Sequence, residues 1–202
     1  PRFTTGKHGR AILLDGRSGV NQSVQIVGSG TEQTYIRGSS SWDATTGNVL
    51  FFKAFSSVTI RDCSISNGAY GVYARLCGVV KIMNCTFSDL GSSGGGHELT
   101  RTQSELAAYW STQGTAGSER SDGGACRIRS VDLVHIENCL VENTLRGIRV
   151  QDCSGGRIAN CRVISALESG IYLAAGGYTG ATGSSNFQIV GCRGDSILHA
   201  GF

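Results

Sequence analysis

The chain has 202 residues, the size of one ordinary domain with a substantial core. Glycine accounts for 30 residues and proline for 1, charged residues make up 16% of the chain, and the formal net charge is +3. This balance argues against a nucleic-acid-binding protein, whose lysines and arginines should dominate one face. No apolar run approaches the roughly 18 residues that span a bilayer, so we expect no membrane insertion.

The N-terminal part precedes the first regular pattern. We expect residues 1–22 to form a cap, in which the run RAILL at 10–14 covers one end of the fold. The next stretch, GSGTEQTYIRG at 28–38, contains a Gly-x-Gly pair. No helical pattern follows that pair, so it is not a dinucleotide-binding loop.

A ten-residue pattern centred on an Asn-Cys pair then repeats. Its clearest copies are VKIMNCTFSD at 80–89, VHIENCLVEN at 134–143 and GRIANCRVIS at 156–165. Two further copies are SVTIRDCSIS at 57–66, with Asp62 in the Asn position, and the weaker FQIVGCRGDS at 187–196. The interval is 22 residues from Cys63 to Cys85 and again from Cys139 to Cys161. A fixed period of this length predicts a repeat architecture.

Apolar residues alternate within each repeat, which is the period of a β-strand. A 22-residue unit therefore holds two or three short strands, and it buries its apolar side only by stacking on its neighbours. Corner positions carry residues suited to left-handed backbone or to local hydrogen bonding, namely Gly71, Gly147, Asn84, Asn138 and Asn160. This pattern predicts a parallel β-solenoid. Leucine-rich repeats are the alternative, but their Leu-x-x-Leu-x-Leu signature is absent.

Two loops interrupt the period. The longer, residues 91–124, contains a capping-box pair, Thr102 and Glu105, ahead of LAAYW, which predicts a short helix over 103–111. The shorter loop covers residues 174–186.

The eight cysteines could form disulfides, hold a metal or remain buried thiols. No C-x-x-C and no histidine at zinc-finger spacing is present, so we expect no metal. The five cysteines of the repeats, Cys63, Cys85, Cys139, Cys161 and Cys192, fall on one inward column, where aligned Cβ vectors suit a disulfide poorly. Buried, reduced thiols are the favoured interpretation, and they suggest folding in a reducing cytoplasm.

The recurring element V-x-I-x-N-C-x-V/F-x-N/D resembles the short repeat of right-handed parallel β-helix proteins of the pectate-lyase-like superfamily. The resemblance covers residues 23–200, and the stretch at 28–38 looks like the first full coil of such helices. It implies an all-β fold: one single-stranded, right-handed parallel β-helix domain over residues 1–202 with ~22-residue coils. The superfamily includes polysaccharide lyases, glycoside hydrolases and phage tailspikes, and many members have no catalytic activity.

An outward column of rings and guanidiniums is the first candidate site. It contains Phe51, Tyr73, Arg127, Arg149 and Tyr172. Rings offer flat faces to sugars and guanidiniums bind hydroxyls or carboxylates. Packing against a sister chain and plain exposed strand are the alternatives. In the long loop, Tyr109 and Trp110 are candidate sugar platforms, although this loop could instead be a lid or an interface.

Candidates for catalysis are weak. Asp132 and Asp152 lie near the same corner of neighbouring coils, and Glu98 with His97 is a polar pair in the long loop. Glycosidases need two carboxyl groups about 5 to 10 Å apart. Lyases of the superfamily use a calcium ion held by carboxylates, and no matching Asp cluster is found, so we expect no cofactor.

The favoured function is a virion-associated, tailspike- or tail-fibre-like protein that faces cell-surface polysaccharide. Its expected partners are a glycan, two further copies in a homotrimer, and other virion proteins. It would be made in the host cytoplasm, with secretion as the alternative. The other functions considered are a polysaccharide lyase or glycoside hydrolase of the same fold, and a structural or decoration module without a ligand.

Overall fold

The computed structural model describes residues 12–16, 22–38, 47–91, 123–174, 183–195 and 197. These residues form sixteen β-strands, and no helix occurs among them. The helix expected at 103–111 lies outside the described residues, as do most of the long loop and much of the predicted cap.

Each complete coil has three strands, each of which belongs to a different face of the solenoid. Face one contains β2 (Ser23–Val27), β5 (Ser57–Arg61), β8 (Val79–Met83), β11 (Leu133–Glu137), β13 (Gly156–Ala159) and β15 (Phe187–Val190). Face two contains β3 (Tyr35–Arg37), β6 (Ser64–Gly68), β9 (Thr86–Leu90), the first half of β12 (Leu140–Gln151), the first half of β14 (Arg162–Ala174) and β16 (Arg193–Asp195). Face three contains β1 (Ile12–Asp15), β4 (Leu50–Lys53), β7 (Tyr70–Arg75), β10 (Gly124–Arg129) and the second halves of β12 and β14.

All pairings between strands are parallel, and they place like residues above like. Val58 pairs with Val80, and Ile60 with Ile82, each 22 positions later in the chain. Faces two and three form one continuous sheet, because β12 and β14 run through the corner between them. Aligning the repeats on their cysteines therefore gives the register in which the strands pair.

Left-handed residues make all the corners of the four central coils. Twelve residues other than glycine have φ between 51° and 60° there, in three columns: Ala54, Leu76, Ser130 and Asp152 after face three; Asp62, Asn84, Asn138 and Asn160 after face one; Asn67, Asp89, Asn143 and Ser165 at the end of face two. Eight of the twelve are Asn or Asp, whose short polar side chains tolerate this backbone best. Ala54 and Leu76 are the apolar exceptions.

The column after face one is also a hydrogen-bonded ladder of side chains. Asn84 Nδ2 donates to Asp62 Oδ1 at 3.0 Å, and Asn138 Nδ2 donates to Asn84 Oδ1 at 3.2 Å. Asn160 Nδ2 continues the ladder to Asn138 Oδ1 at 3.3 Å. Gly191, with φ of 64°, ends it, since a Cβ there would lie 2.5 Å from Asn160 Oδ1. The Asn of the repeat thus forms the corner and also links coil to coil.

Gly71 and Gly147 are not corner residues with left-handed backbone, contrary to the expectation from sequence. They lie inside β7 and β12, and neither has a positive φ. Glycine is needed there for space: a Cβ on Gly71 would lie 2.8 Å from the Phe87 ring, and one on Gly147 would lie 2.1 Å from the Gly170 carbonyl oxygen. Backbone and core approach each other too closely at these points for any side chain.

The core is a single hydrophobic cluster, in which Val, Ile, Phe and Cys side chains from all three faces stack in columns. All eight cysteines are free thiols, and seven of them are buried. Cys63 Sγ and Cys85 Sγ lie 3.8 Å apart, in contact and not bonded. Burial raises the pKa of the Cys153 thiol to about 11 and the pKa of the Cys126 thiol well above its ordinary value. Cys153 and Cys126 therefore act as small apolar side chains that stay protonated at neutral pH.

The last described coil is less well covered than the sequence pattern predicts. Ile189 continues the inward isoleucine column but is 41% exposed, and Cys192 is only partly buried. Near the other end, Ile12–Asp15 pairs with β4, so part of the expected cap is a strand of face three.

Candidate functional site

The five residues of the predicted stripe stand in one unbroken row on the outside of face three. Register pairs connect them in the order Phe51, Tyr73, Arg127, Arg149 and Tyr172. Inward neighbours such as Val72 and Ile128 point into the core and fix the outward direction of the row. Four strand spacings separate the two ends, which is about 19 Å.

A second outward row lies two residues further along each strand. It contains Lys53, Arg75, Arg129, Gln151 and Ala174, again in register. We refer to both rows together, with Tyr70, as the wall. The second row escaped the sequence analysis, although aligning positions ten residues before the ladder cysteine would have displayed it.

Rings and guanidiniums contact each other along the wall. The Phe51 and Tyr73 rings meet edge to face, with centroids 5.2 Å apart. The Arg75 guanidinium lies over the Phe51 ring at 5.5 Å, and the Arg149 guanidinium lies over the Tyr172 ring at 5.8 Å. These contacts hold long side chains in fixed positions, so a ligand would meet a surface with little left to order.

Arg127 is the most constrained of these cations. Its guanidinium lies 5.2 Å from the Tyr73 ring centroid and 5.8 Å from that of Tyr70, and its Nε donates to Gln151 Oε1 at 3.2 Å. Only 9% of Arg127 is exposed, and Tyr70 is buried. Tyr70 was not predicted as a site residue, because it precedes the alternating part of its strand and only the fold brings it beside Arg127.

The exposed part of the wall is unevenly distributed. Phe51 and Arg127 point outward yet are buried, whereas Tyr73, Arg75, Arg129 and Arg149 are partly exposed and Tyr172 is 46% exposed. The accessible surface therefore consists mainly of guanidiniums and two tyrosine rings.

From β4 to β14, carboxylates border the wall and do not enter either row, and beyond Lys53 the register continues the second row to Asp15 of β1. Glu168 forms an ion pair with Arg146 at 2.5 Å on the side where the strands enter face three. Asp152 follows the strand on the opposite side, and its Oδ1 accepts a hydrogen bond from the Gly183 amide at 3.3 Å. Since Arg146 pairs with Ser169 and Asp152 lies six positions after Arg146, the backbones of Glu168 and Asp152 are about 20 Å apart along the strand direction.

The weak catalytic candidates that the structure describes, Asp132 and Asp152, do not face each other in register. Asp132 is exposed at the corner between β10 and β11, two positions out of register with Asp152 one coil later. The third candidate, Glu98, lies outside the described residues, as do Tyr109 and Trp110. The ends of their loop are close together: a Cβ on Gly123 would lie 2.4 Å from the Gly91 Cα.

Two other kinds of site do not occur in the part of the chain that the structure describes. No group of three or more His, Cys, Asp or Glu side chains there is arranged to hold a metal ion. Nor does that part contain a helix with the length and apolar character to cross a bilayer.

Comparison with known proteins adds one finding. The family model described as "Right handed beta helix region" matches residues 48–201. No curated protein and no solved structure shows significant similarity to the chain. The match covers most of the chain and agrees with its parallel strands and three-faced coils, and this family membership suggests a carbohydrate-related or structural role. The chain belongs to the right-handed β-helix family.

Proposed function

We propose that the protein binds cell-surface polysaccharide along the wall of face three. The observation that carries this proposal is the row from Phe51 to Tyr172, in which Tyr73, Arg149 and Tyr172 present two ring faces and a guanidinium to solvent in register. A sugar chain needs both groups, because its apolar ring faces stack on aromatic side chains and its polar groups accept hydrogen bonds from planar donors. The preset geometry of the wall lowers the entropic cost of binding.

Binding without catalysis is the version that the two carboxylates flanking the wall favour. Hydrolysis of a glycosidic bond needs two carboxyl groups about 5 to 10 Å apart. Glu168 and Asp152 flank the wall at about twice that separation, and each already has a partner, Arg146 and the Gly183 amide respectively. A polysaccharide lyase or glycoside hydrolase remains the second candidate, and a structural or decoration module the third.

The biological setting that we propose is a virion, where the protein would act as part of a tailspike- or tail-fibre-like homotrimer alongside other virion proteins. The eight free thiols support folding in a reducing host cytoplasm, since structural disulfides are typical of oxidising compartments. Secretion is the alternative. Mass in solution tests the trimer, and a protein that is monomeric at micromolar concentration would refute it.

A glycan array followed by titration of the retained glycans tests the binding proposal. Tyr73→Ala and Tyr172→Ala should each weaken retention, because each removes a stacking face. Tyr35→Ala is the matched control: Tyr35 is 40% exposed on face two and lies under the Arg37 guanidinium at 5.7 Å, a contact like that of Tyr172 with Arg149. Equal loss in all three variants would argue against the wall.

The same samples separate the rival functions. New reducing ends or an unsaturated product in glycan treated with the wild-type protein would establish catalysis. Changing Tyr73 and Arg149 to Ala distinguishes binding from packing: loss of the oligomer means that the wall is an interface, and loss of retention with the oligomer intact means that it is a binding site. A wild-type protein that retains no glycan would favour the structural module.

A further inference from the structure

Both edges of face one are open in the part of the chain that the structure describes. The sheet of this face ends at β2 on one side and at β15 on the other, and neither strand has a second pairing partner there. Face two ends in the same way, at β3 and β16. We refer to these four as the edge strands. An edge presents unpaired backbone NH and carbonyl groups, to which a strand of another chain can pair.

The two edge strands of face one carry the same three residues at the same register positions. Residues 25–27 read QIV, residues 188–190 read QIV, and the register leads column by column from the first set to the second. Each inner strand of this face instead has a charged residue on its outward side, namely Arg61, Lys81, Glu137 and Arg157. Charge on an edge strand is a common protection against pairing with another chain, and here the edges lack it.

The same edges expose apolar side chains that the inner coils cover. In the inward isoleucine column, Ile60 and Ile136 are fully buried, whereas Ile26 is only partly buried and Ile189 is 41% exposed. A valine in the outward QIV position is also exposed at each edge. One more coil placed on either edge would bury these side chains, and burial of apolar surface is the main favourable contribution to association.

A second copy of the chain fits these edges in one orientation. All pairings in the solenoid are parallel, so parallel pairing sets β2 of one copy on β15 of the next, with Ile26 on Ile189 and Gln25 beside Gln188. Glutamines stacked in this way can form a ladder of amide hydrogen bonds. On face two the same register sets Arg37 beside Asp195, which already binds Arg162 and Arg193 in its own copy, so face one carries the contact.

We infer that copies of this protein stack end to end, with β2 of one copy paired in parallel to β15 of the next at the register that joins Ile26 to Ile189. The contact is heterologous, because two different surfaces meet, and it does not close into a ring when the solenoid axes are continuous. Each added copy leaves the same two edges open, so the product is a filament. This inference goes beyond the proposed function, whose homotrimer is a closed assembly.

Sedimentation of the full chain from about 1 to about 100 µM tests the growth of the stack. The mean mass should rise continuously with concentration and reach no plateau. If the trimer also forms, the mass should rise in multiples of the trimer. A mass that stays at that of a monomer or a single trimer would overturn the stack, and it would mean that another segment covers the edges.

A charge at the edge locates the contact. Ile189→Lys should raise the dissociation constant between copies about tenfold or more, because the ammonium group would face the apolar Ile26 of the next copy. Leu133→Lys is the matched control, since Leu133 is 39% exposed on the same face but lies in β11, which is paired on both sides. It should leave growth unchanged. Equal loss of growth in the two variants would overturn the role of the edges.

Paired changes of Gln25 and Gln188 test the register without altering the core. Both side chains are exposed, and Lys81 occupies the same column in an inner coil, so a lysine is compatible with this position. Gln25→Lys with Gln188→Lys should weaken growth about threefold or more, because like charges would face each other across the contact. Gln25→Lys with Gln188→Glu should restore growth. Equal growth of the two double variants would overturn the pairing of β2 with β15.

Discussion

Replacing Asn138 separates the two contributions that the Asn ladder makes to stability. Its side chain donates to Asn84 and accepts from Asn160, at 3.2 and 3.3 Å, while its backbone is left-handed with φ of 55°. Asn138→Gly removes both side-chain bonds but keeps a residue suited to this backbone. Asn138→Ala removes the bonds and adds the cost of a left-handed Ala.

The magnitudes follow from exposure. The ladder is exposed, so the released groups of Asn84 and Asn160 can bind water, and losing both bonds should cost only about 1 kcal/mol. The left-handed backbone adds about 1 kcal/mol for Ala. We therefore expect the free energy of unfolding to fall by about 1 kcal/mol in Asn138→Gly and about 2 kcal/mol in Asn138→Ala.

Equilibrium denaturation with urea, supported by calorimetry, measures both changes. For a chain of this size the two losses correspond to shifts in Tm of roughly 3 and 6 °C. Asn160→Gly is the graded control: Asn160 makes only the bond to Asn138 within the ladder, so its loss should be about half that of Asn138→Gly. If Asn138→Gly proves as damaging as Asn138→Ala, the argument from left-handed backbone is wrong.

Four further predictions concern the corners, the core, the long loop and the thiols. Leu76→Gly should raise the free energy of unfolding by about 1 kcal/mol, because Leu76 is 56% exposed with φ of 55°. Leu133→Gly should lower it, because Leu133 is an exposed residue at the start of β11 without a positive φ. Thr144→Val should stabilise the protein by about 1 kcal/mol in chemical denaturation, since the buried Thr144 hydroxyl has no hydrogen-bond partner within the described ranges; a loss of stability would mean that the hydroxyl is satisfied. Removing residues 93–122 and closing with Gly and Ser should leave the strand signal in circular dichroism unchanged, because Gly91 and Gly123 already adjoin, and an unfolded product would place the loop in the core. The free energy of unfolding should fall as pH rises from about 9 to about 11, because thiols ionise first in the unfolded chain, whereas the pKa of Cys153 in the fold is about 11. Cys153→Ala should reduce the slope of the free energy of unfolding against pH, and an unchanged slope would contradict this explanation.

Much of the architecture could be predicted from the sequence because the determinants recur at one interval. Isoleucine three positions before each ladder cysteine and Asn immediately before it define strand, corner and register together, as the pairing of Ile60 with Ile82 confirms. The row from Phe51 to Arg149 followed from that register alone, because the strands of a solenoid stack in register. Tyr172 joins the row one position late, since the pairing of β12 with β14 shifts register between Thr144 and Arg146.

The features that were not predicted depend on distances between atoms, which the repeat period alone does not specify. Gly71 and Gly147 looked like corner residues, but close contact with Phe87 and with the Gly170 carbonyl is what requires glycine. Tyr70 joins Arg127 only because the chain bends between faces two and three. The low exposure of Arg127 likewise depends on its neighbours in the fold and not on its place in the alternation.

The stacking of coils in register has a consequence for how such a protein can change in length. Each coil meets only the coils above and below it, and where no loop intervenes its pairing partners are like residues 22 positions away. A duplicated unit of that length would meet the same surfaces on both sides and displace nothing. The solenoid can thus be lengthened by whole 22-residue coils. Every added coil would carry one more outward position at the centre of face three.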